Sequence, residues 1–336
     1  MSPLRCKIKG YFMLFRVLPV MVWAVTGTLV GTSLASMKNY EINWPAFLLV
    51  LLISALVQGY PTHIINEIYD WKSGADPQDL RAKKSGGSKV LQAQLLSIGD
   101  LWWAFVISNL ILAGLVYWCI KVIDIKAFYF FFLPAYFSAL FYTLPPFRFA
   151  YRPFLGEWLG GFAGMFVLVV GSYYVQTFSV NLYVILSAVG FGIIFIGIMI
   201  FFHYLDYEND QQAVPVKKTT VVYLGLEGSR KYVYFCLVVS FVILGITVLK
   251  YEFKLIPLLV LCSAVGFGHS RIDLNDPSTI IRWGKFVTMV TLAASLVLAG
   301  LAQPILLLMT LPISVSYWAH KKFGKLKTVS VQKRKE

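Results

Sequence analysis

Long apolar segments constrain the fold of this chain more than any other feature of its sequence. A helix needs about 20 apolar residues to cross a hydrocarbon core of about 30 Å, and stretches of about 16 to 24 such residues recur throughout the chain. Only 14% of the 336 residues are charged, whereas soluble domains carry about a quarter. The sequence predicts an all-α polytopic membrane protein, because transmembrane β-strands would be shorter and would alternate apolar with polar residues. The predicted spans lie near residues 11–35, 45–65, 101–121, 127–143, 155–177, 181–204, 231–249, 255–270, 285–302 and 304–319.

The last two predicted spans leave the number of transmembrane helices at nine to ten. Gln303-Pro304 separates them, and a proline can either kink one helix or lie in the turn between two. The basic tail at residues 321–336 favours ten, because lysine and arginine concentrate on the cytoplasmic side of a membrane. We predict a single transmembrane domain over residues 1–320, followed by this cytoplasmic tail.

The distribution of basic residues predicts the orientation of the chain. With the N-terminus in the cytoplasm, 25 of the 30 lysines and arginines fall in cytoplasmic segments, as the positive-inside rule requires. These cytoplasmic lysines and arginines explain the net charge of +14 without a nucleic acid partner. We predict an integral protein of the inner (plasma) membrane. Two long polar segments, residues 66–100 and 205–230, are predicted to be cytoplasmic loops.

The first polar segment begins with an acidic cluster. Asn66 and Asp70 are four residues apart and would share one face of a helix. Gly74 can end that helix in a left-handed conformation, which would let Asp76 turn back toward Asp70. We therefore expect these polar side chains to converge.

The second polar segment has an equivalent position, after the sixth predicted helix instead of the second. Asp206 and Asp210 again lie one helical turn apart. Ordinary solvated loops would also carry such charges, but two matched clusters at equivalent positions favour a shared site. Each cluster is followed by basic residues suited to phosphate groups, namely Arg81, Lys83 and Lys84 after the first and Lys217 and Lys218 after the second.

Carboxylates gathered at a membrane boundary repel one another and require a cation. Oxygen ligands suit Mg²⁺, which commonly bridges protein carboxylates to the phosphates of a substrate. The basic residues nearby are candidates for binding the same phosphates. The candidate metal ligands are Asn66, Asp70, Asp76, Asp206 and Asp210.

These two motifs resemble those of the UbiA superfamily of intramembrane prenyltransferases. The resemblance runs from about residue 10 to 300 and includes residues 85–88 and 218–221. Residues 142–148 and 151–157 are similar to the menaquinone branch, whose members prenylate 1,4-dihydroxy-2-naphthoate. The resemblance implies helices around a central cavity, a polyprenyl diphosphate bound through Mg²⁺, an aromatic quinol precursor as acceptor, and the lipid bilayer as surroundings.

The resemblance also implies roles for individual residues. Asp70 and Asp206 would be essential for catalysis, and Tyr142 and Arg148 would contact the diphosphate. Arg148 could equally anchor the end of its helix at the membrane surface. His203 is a candidate base, and in its protonated form it could bind a carboxylated acceptor, although a packed or hydrogen-bonded histidine is the simpler interpretation.

Some residues depart from the naphthoate-type pattern or have two explanations. Glu157 begins the fifth predicted helix, where a role as cap explains an acidic residue as well as catalysis does. Residues 202–205 stand where naphthoate-type members often have Asn and Arg, and residues 214–216 stand where a Gly is usual. The acceptor could therefore instead be a glycerol ether of archaeal lipids or a chlorophyll-type acid. Cyclisation of the prenyl chain is an alternative reaction without an acceptor. The alternative outside enzymes is a polytopic transporter, which would place charges at the middle of broken helices.

Overall fold

Helices form every regular element in the part of the chain that the structure describes. The computed structural model describes residues 3–76, 87–121 and 123–324, and the all-α prediction is confirmed there. We number ten helices in chain order: α1 Leu4–Ser36, α2 Trp44–Ser73, α3 Ile98–Lys121, α4 Lys126–Phe141, α5 Gly156–Thr177, α6 Leu182–Gln212, α7 Thr220–Lys250, α8 Phe253–Arg271, α9 Pro277–Ala302 and α10 Thr310–Phe323.

Eight of these helices are long and apolar enough to cross a membrane, and α4 is a shorter apolar helix. The backbone is extended at Gln303 (φ −155°, ψ 110°), where α9 ends. A short 3-10 segment, Pro304–Met309, follows. Helix α10 then runs back beside α1, where the rings of Phe12 and Phe323 lie 5.9 Å apart. Gln303-Pro304 is therefore a turn and not a kink, and the number of nine to ten crossings stays a prediction.

The two acidic segments are more helical than the sequence predicted. Helix α6 continues through Gln212 and α7 begins at Thr220, so the long loop predicted over residues 205–230 is wrong. The change from apolar to polar residues marks the limit of the hydrocarbon core, whereas the backbone hydrogen bonds of a helix continue beyond it. The acidic residues of both motifs, except Asp76, consequently lie on the last turns of α2 and α6.

Helix α6 is the central helix of the bundle. The most apolar 18-residue stretch of α6 is 78% buried, a larger share than in the corresponding stretch of the other helices long enough to cross a membrane. Helix α6 packs against α5, α7, α8 and α9. The rings of Phe191, Phe195 and Phe201 are fully enclosed, and an aromatic side chain buries about 150–250 Å². This packing holds the acidic end of α6 in a defined position.

A cavity of about 960 Å³ lies within the bundle, which confirms the predicted central cavity. Residues of α1, α2, α4, α5, α6, α9 and α10 line it, and the described residues of α3, α7 and α8 do not. Its wall is mainly apolar and includes aromatic side chains such as Phe131 and Phe202. Wide π-helical turns at Met21–Val25, Gln58–Thr62 and Gly156–Phe162 contribute to the wall, and such turns are frequent at functional sites.

Candidate active site

Asp70 is the most heavily contacted carboxylate of the first motif. It lies at the C-terminal end of α2, is 2% exposed and lines the cavity. One oxygen accepts a hydrogen bond from the Tyr151 hydroxyl at 3.0 Å. The other accepts from the amide of Asn66, one turn earlier, and from the Lys217 ammonium at 2.8 Å. Three segments of the chain therefore fix this carboxylate.

A tight turn after α2 brings further carboxylates to Asp70. Gly74 ends the helix with φ +76°, a conformation that glycine adopts without strain, and the Asp76 N–H donates to the Asp70 carbonyl at 3.3 Å. The turn predicted from Gly74 is thus confirmed. At Gly87 an added Cβ would overlap the Asp76 carboxylate and lie 2.9 Å from that of Glu67. Burial, followed by the charges of Asp70 and Glu67, raises the pKa of Asp76 well above its ordinary value.

The second motif meets the first through the short loop between α6 and α7. The Val214 N–H donates to the Ser73 carbonyl at 2.8 Å and ties this loop to the end of α2. Asp206 and Asp210 both line the cavity, and Asp210 is 1% exposed. The acidic cluster of this site consists of Glu67, Asp70, Asp76, Asp206 and Asp210.

Lys217 is a counter-ion of the acidic cluster. Its ammonium lies 2.8 Å from Asp70 and 3.7 Å from Asp210, and the residue is 8% exposed. Burial by itself would lower the pKa of Lys217, but the carboxylates of Asp210 and Asp70 raise it well above its ordinary value. Lys218 is exposed, so the structure separates the members of the predicted pair. The other predicted basic residues, Arg81, Lys83 and Lys84, lie outside the described residues.

Some oxygens of the acidic cluster are buried without a hydrogen-bond donor, namely Glu67 Oε1, Asp76 Oδ2 and both carboxylate oxygens of Asp210. Leaving such atoms unsatisfied is costly, and hard oxygen donors suit Mg²⁺. Within the described ranges, no three His, Cys, Asp or Glu side chains enclose a position for a metal ion. Mg²⁺ commonly takes one or two protein carboxylates and completes its shell with water and substrate phosphates. The residues present therefore fit a Mg²⁺ ion that one or two of these carboxylates would hold, with water or phosphate oxygens as its other ligands.

Arg148 lies near Tyr69 of the first acidic motif and near Tyr151, and it is not among the residues that line the described cavity. It has a left-handed backbone (φ 45°), and its guanidinium lies 5.6 Å from the centre of the Tyr69 ring and 5.4 Å from that of Tyr151. Tyr151 in turn donates to Asp70, so Arg148 and this carboxylate contact the same tyrosine. Its direct contact with a diphosphate stays a prediction.

A second polar group faces the cavity and connects α5, α6 and α7. The Tyr142 hydroxyl is 3.2 Å from His203 Nε2, and His203 Nδ1 is 3.0 Å from Glu157 Oε1. The other Glu157 oxygen accepts a hydrogen bond from the Thr220 hydroxyl at 2.6 Å. The Tyr142 ring packs where Gly160 has no side chain, since a Cβ there would lie 2.5 Å from it. His203 is thus hydrogen-bonded, as the simpler interpretation predicted, and Glu157 binds side chains of other helices.

Sequence reasoning missed some residues of this site. Tyr151 and Thr220 contact its carboxylates, but their only sequence signal is their place within segments that resemble the family. The sequence also could not predict which aromatic side chains line the cavity. A ring that faces lipid and a ring that faces the cavity belong to the same apolar residue types. The aromatic residues that line it are Trp23, Phe128, Phe131, Phe132, Tyr136, Tyr142, Phe202, Phe286 and Tyr317.

Comparison with known proteins now identifies the family. The model of the UbiA prenyltransferase family matches residues 24–290, a range that contains both acidic motifs. The chain belongs to the UbiA prenyltransferase family. It is therefore an integral membrane prenyltransferase, and the transporter alternative is rejected.

Individual relatives of this UbiA family member agree with the assignment. A 1,4-dihydroxy-2-naphthoate octaprenyltransferase of Haemophilus influenzae is 26% identical over an alignment of 229 residues that covers 65% of this chain and 69% of the relative. The structure of a UbiA homologue from Archaeoglobus fulgidus bound to GPP and Mg²⁺ has a TM-score of 0.64 at 18% identity, covering 87% of this chain and 99% of that one. A structure described as digeranylgeranylglyceryl phosphate synthase has a TM-score of 0.59 at 16% identity, with 88% and 98% coverage. The two structures show a shared fold.

Proposed function

We propose that this UbiA family member transfers a polyprenyl group from its diphosphate to an aromatic quinol precursor in a Mg²⁺-dependent reaction. The observation that carries the proposal is the acidic cluster, with buried Lys217, at one part of an apolar and aromatic-lined cavity. A substrate that matches both parts has a charged diphosphate and a long apolar tail. The Archaeoglobus fulgidus homologue bound to GPP and Mg²⁺ supports this donor and this metal.

The acidic cluster and the basic residues would bind the diphosphate together. Bound by the cluster, Mg²⁺ would neutralise charge on the diphosphate and so make it a better leaving group. Lys217 adds a fixed positive charge whose position does not have to change during the reaction. The residues proposed to hold Mg²⁺ are Asn66, Asp70, Asp76, Asp206 and Asp210. The further basic contacts proposed are Arg81, Lys83, Lys84 and Arg148, and exposed Lys218 is not among them.

The rest of the cavity would hold the prenyl chain and protect its reactive end. Aromatic faces such as those of Trp23 and Phe131 stabilise a nearby positive charge through their quadrupoles. An apolar wall excludes water, which would otherwise capture an allylic cation. A ring carbon of the acceptor would then bond to the first carbon of the prenyl chain while the bond to the diphosphate oxygen breaks. The ring would become aromatic again by losing the proton of that carbon or, in a naphthoate, the carboxylate as CO2.

The proposed acceptor is 1,4-dihydroxy-2-naphthoate, and the similarity to the Haemophilus influenzae octaprenyltransferase supports it. We expect purified protein to prenylate this naphthoate with labelled geranylgeranyl diphosphate and Mg²⁺, to lose the activity in EDTA, and to regain it when Mg²⁺ is added back. Radiolabelled product separated by chromatography is the measurement. A neutral aromatic, a glycerol phosphate and a reaction without acceptor are the parallel samples.

Each outcome of that experiment has a separate meaning. Full activity in EDTA would contradict the metal-dependent diphosphate site. Efficient transfer to the glycerol phosphate, with none to the naphthoate, would refute the aromatic acceptor but leave the prenyltransferase assignment intact. A cyclic product in the sample without acceptor would identify a prenyl cyclase.

We also propose that the N-terminus and the acidic cluster face the cytoplasm across the inner (plasma) membrane. After replacement of the four native cysteines, a cysteine at Val214, which is 80% exposed, and one at exposed Asn275 should react with an impermeant thiol reagent only from the cytoplasmic side. A cysteine at exposed Lys254 should react only from the opposite side. Reaction of Val214 and Asn275 variants from different sides would contradict this topology.

A further inference from the structure

The hydrogen bonds around Glu157 have a fixed direction. The Thr220 hydroxyl oxygen accepts from the Phe154 N–H at 2.8 Å, so its single proton is free to donate to Glu157 at 2.6 Å. The second Glu157 oxygen then accepts from His203 Nδ1–H at 3.0 Å. In the neutral imidazole this leaves the lone pair on Nε2, which faces the Tyr142 hydroxyl at 3.2 Å.

These hydrogen bonds link side chains in the order Thr220, Glu157, His203 and Tyr142. The Tyr142 end reaches the cavity, and the Thr220 end is buried. Tyr142 and His203 line the cavity near Asp206 and Lys217, whereas Glu157 is 1% exposed. A buried carboxylate is costly unless its hydrogen bonds are satisfied, and here both of its oxygens accept one from a side chain. A carboxylate that orients a histidine whose second nitrogen meets a hydroxyl is the arrangement of a general base.

We infer that Tyr142 and His203, oriented by Glu157 and Thr220, remove the proton of the acceptor hydroxyl during prenyl transfer, an inference that rests on the proposed function. The acceptor O–H bond breaks, and its electron pair enters the ring as the ring carbon bonds to the prenyl carbon, which leaves a ketone. That ring carbon then loses its proton, or its carboxylate as CO2, the bonding pair returns to the ring, and the oxygen takes up a proton again. The bond from the prenyl carbon to the diphosphate oxygen breaks, and its electron pair leaves with the diphosphate. The acceptor proton passes to the Tyr142 oxygen while the Tyr142 proton passes to His203 Nε2. The imidazolium that forms lies beside the Glu157 carboxylate.

A second buried histidine provides a matched control. His269 also contacts a tyrosine, Tyr204, at 3.4 Å, and its Nε2 lies 3.1 Å from the Gly197 carbonyl. Neither His269 nor Tyr204 is among the residues that line the described cavity. Substitution of His269 therefore tests the effect of altering a buried histidine–tyrosine pair away from the substrate.

The test measures kcat, both KM values, and the slow release of diphosphate without acceptor. His203→Gln and Tyr142→Phe should each lower kcat for transfer by at least about 100-fold, the usual contribution of a general base. The KM for prenyl diphosphate and the release of diphosphate without acceptor should change less than about 3-fold, because the proton comes from the acceptor. His269→Gln should keep kcat within about 3-fold of the native protein.

The positioning residues require a readout that distinguishes them from structural residues. Glu157→Gln and Thr220→Val should lower kcat by about 10-fold or more, whereas Thr220→Ser keeps the hydroxyl and should restore the native rate. A solvent deuterium isotope effect on transfer should be present in the native protein and in Thr220→Ser. Retained kcat in His203→Gln, or a loss confined to the KM for prenyl diphosphate in Tyr142→Phe, would overturn the inference without affecting the proposed function. Loss of acceptor-independent diphosphate release in both variants would likewise assign these residues to the diphosphate site.

Discussion

Asp70→Asn and Asp206→Asn are each expected to lower the turnover of prenyl transfer at least about 100-fold, a loss of about 2.7 kcal/mol of transition-state stabilisation. Asp70 is buried and contacts Lys217 and Tyr151, and Asp206 lines the same cavity. Asparagine keeps the shape of the side chain but removes the charge that would hold Mg²⁺ against the diphosphate. Asp206→Asn removes one of several crowded carboxylates and relieves repulsion. Asp70→Asn weakens the ion pair with Lys217, but Asp210 still lies 3.7 Å from that ammonium, so the folded protein should persist at lower stability.

Glu208→Gln is the matched control for this pair of variants. Glu208 is exposed on the same part of α6, between Asp206 and Asp210, and does not line the described cavity. Its turnover should stay within about 3-fold of the native value, as expected for a surface substitution. Steady-state rates at saturating Mg²⁺, together with thermal unfolding in detergent, are the measurements. Native turnover in either aspartate variant would contradict a diphosphate site formed by both motifs.

Lys217→Met is expected to lower turnover by about 100- to 1,000-fold, the range for removal of one preorganised electrostatic contact. Lys218→Met should change turnover less than about 3-fold, because the Lys218 side chain is exposed and outside the described cavity lining. These adjacent lysines have the same charge and the same stem. Their comparison therefore isolates the effect of position in the structure.

The stability of Lys217→Met needs its own measurement. Lys217 is a buried partner of Asp70 and Asp210, and removing one member of a buried ion pair costs about 3–5 kcal/mol of stability. Lys217→Arg keeps the charge and should unfold at a higher temperature than Lys217→Met. Equal turnover in the Lys217 and Lys218 variants would contradict the role of Lys217 as the buried cation of the site.

The helical fold and the acidic motifs were predictable because their signals are local. Apolar length indicates a transmembrane helix, and the spacing of Asn66 and Asp70 places both on one face. The turn at Gly74 follows from the left-handed conformation that glycine adopts without strain. Each of these signals depends on residues within a few positions of one another.

The remaining features depend on contacts between distant segments. The sequence around Lys217 and Lys218 does not indicate which of the two side chains enters the bundle. That depends on how the loop is held against α2, where the Val214 N–H donates to the Ser73 carbonyl. Likewise, Glu157 at the start of a helix is a plausible cap until Thr220 and His203 are placed beside it. The predicted loop over residues 205–230 failed because polarity reports the membrane boundary and not the end of a helix.

The ion pair between Asp70 and Lys217 joins residues that are 147 positions apart. During synthesis the N-terminal part of a membrane protein emerges first, so the carboxylates of α2 reach the bilayer before their cation exists. Because an unpaired charge buried within a protein is costly, these carboxylates must stay hydrated until α6 and the following loop have been inserted. Completion of the acidic cluster is therefore a late event in biogenesis, and a ribosome that stalls before Lys217 leaves a chain with an intact first motif and no donor site.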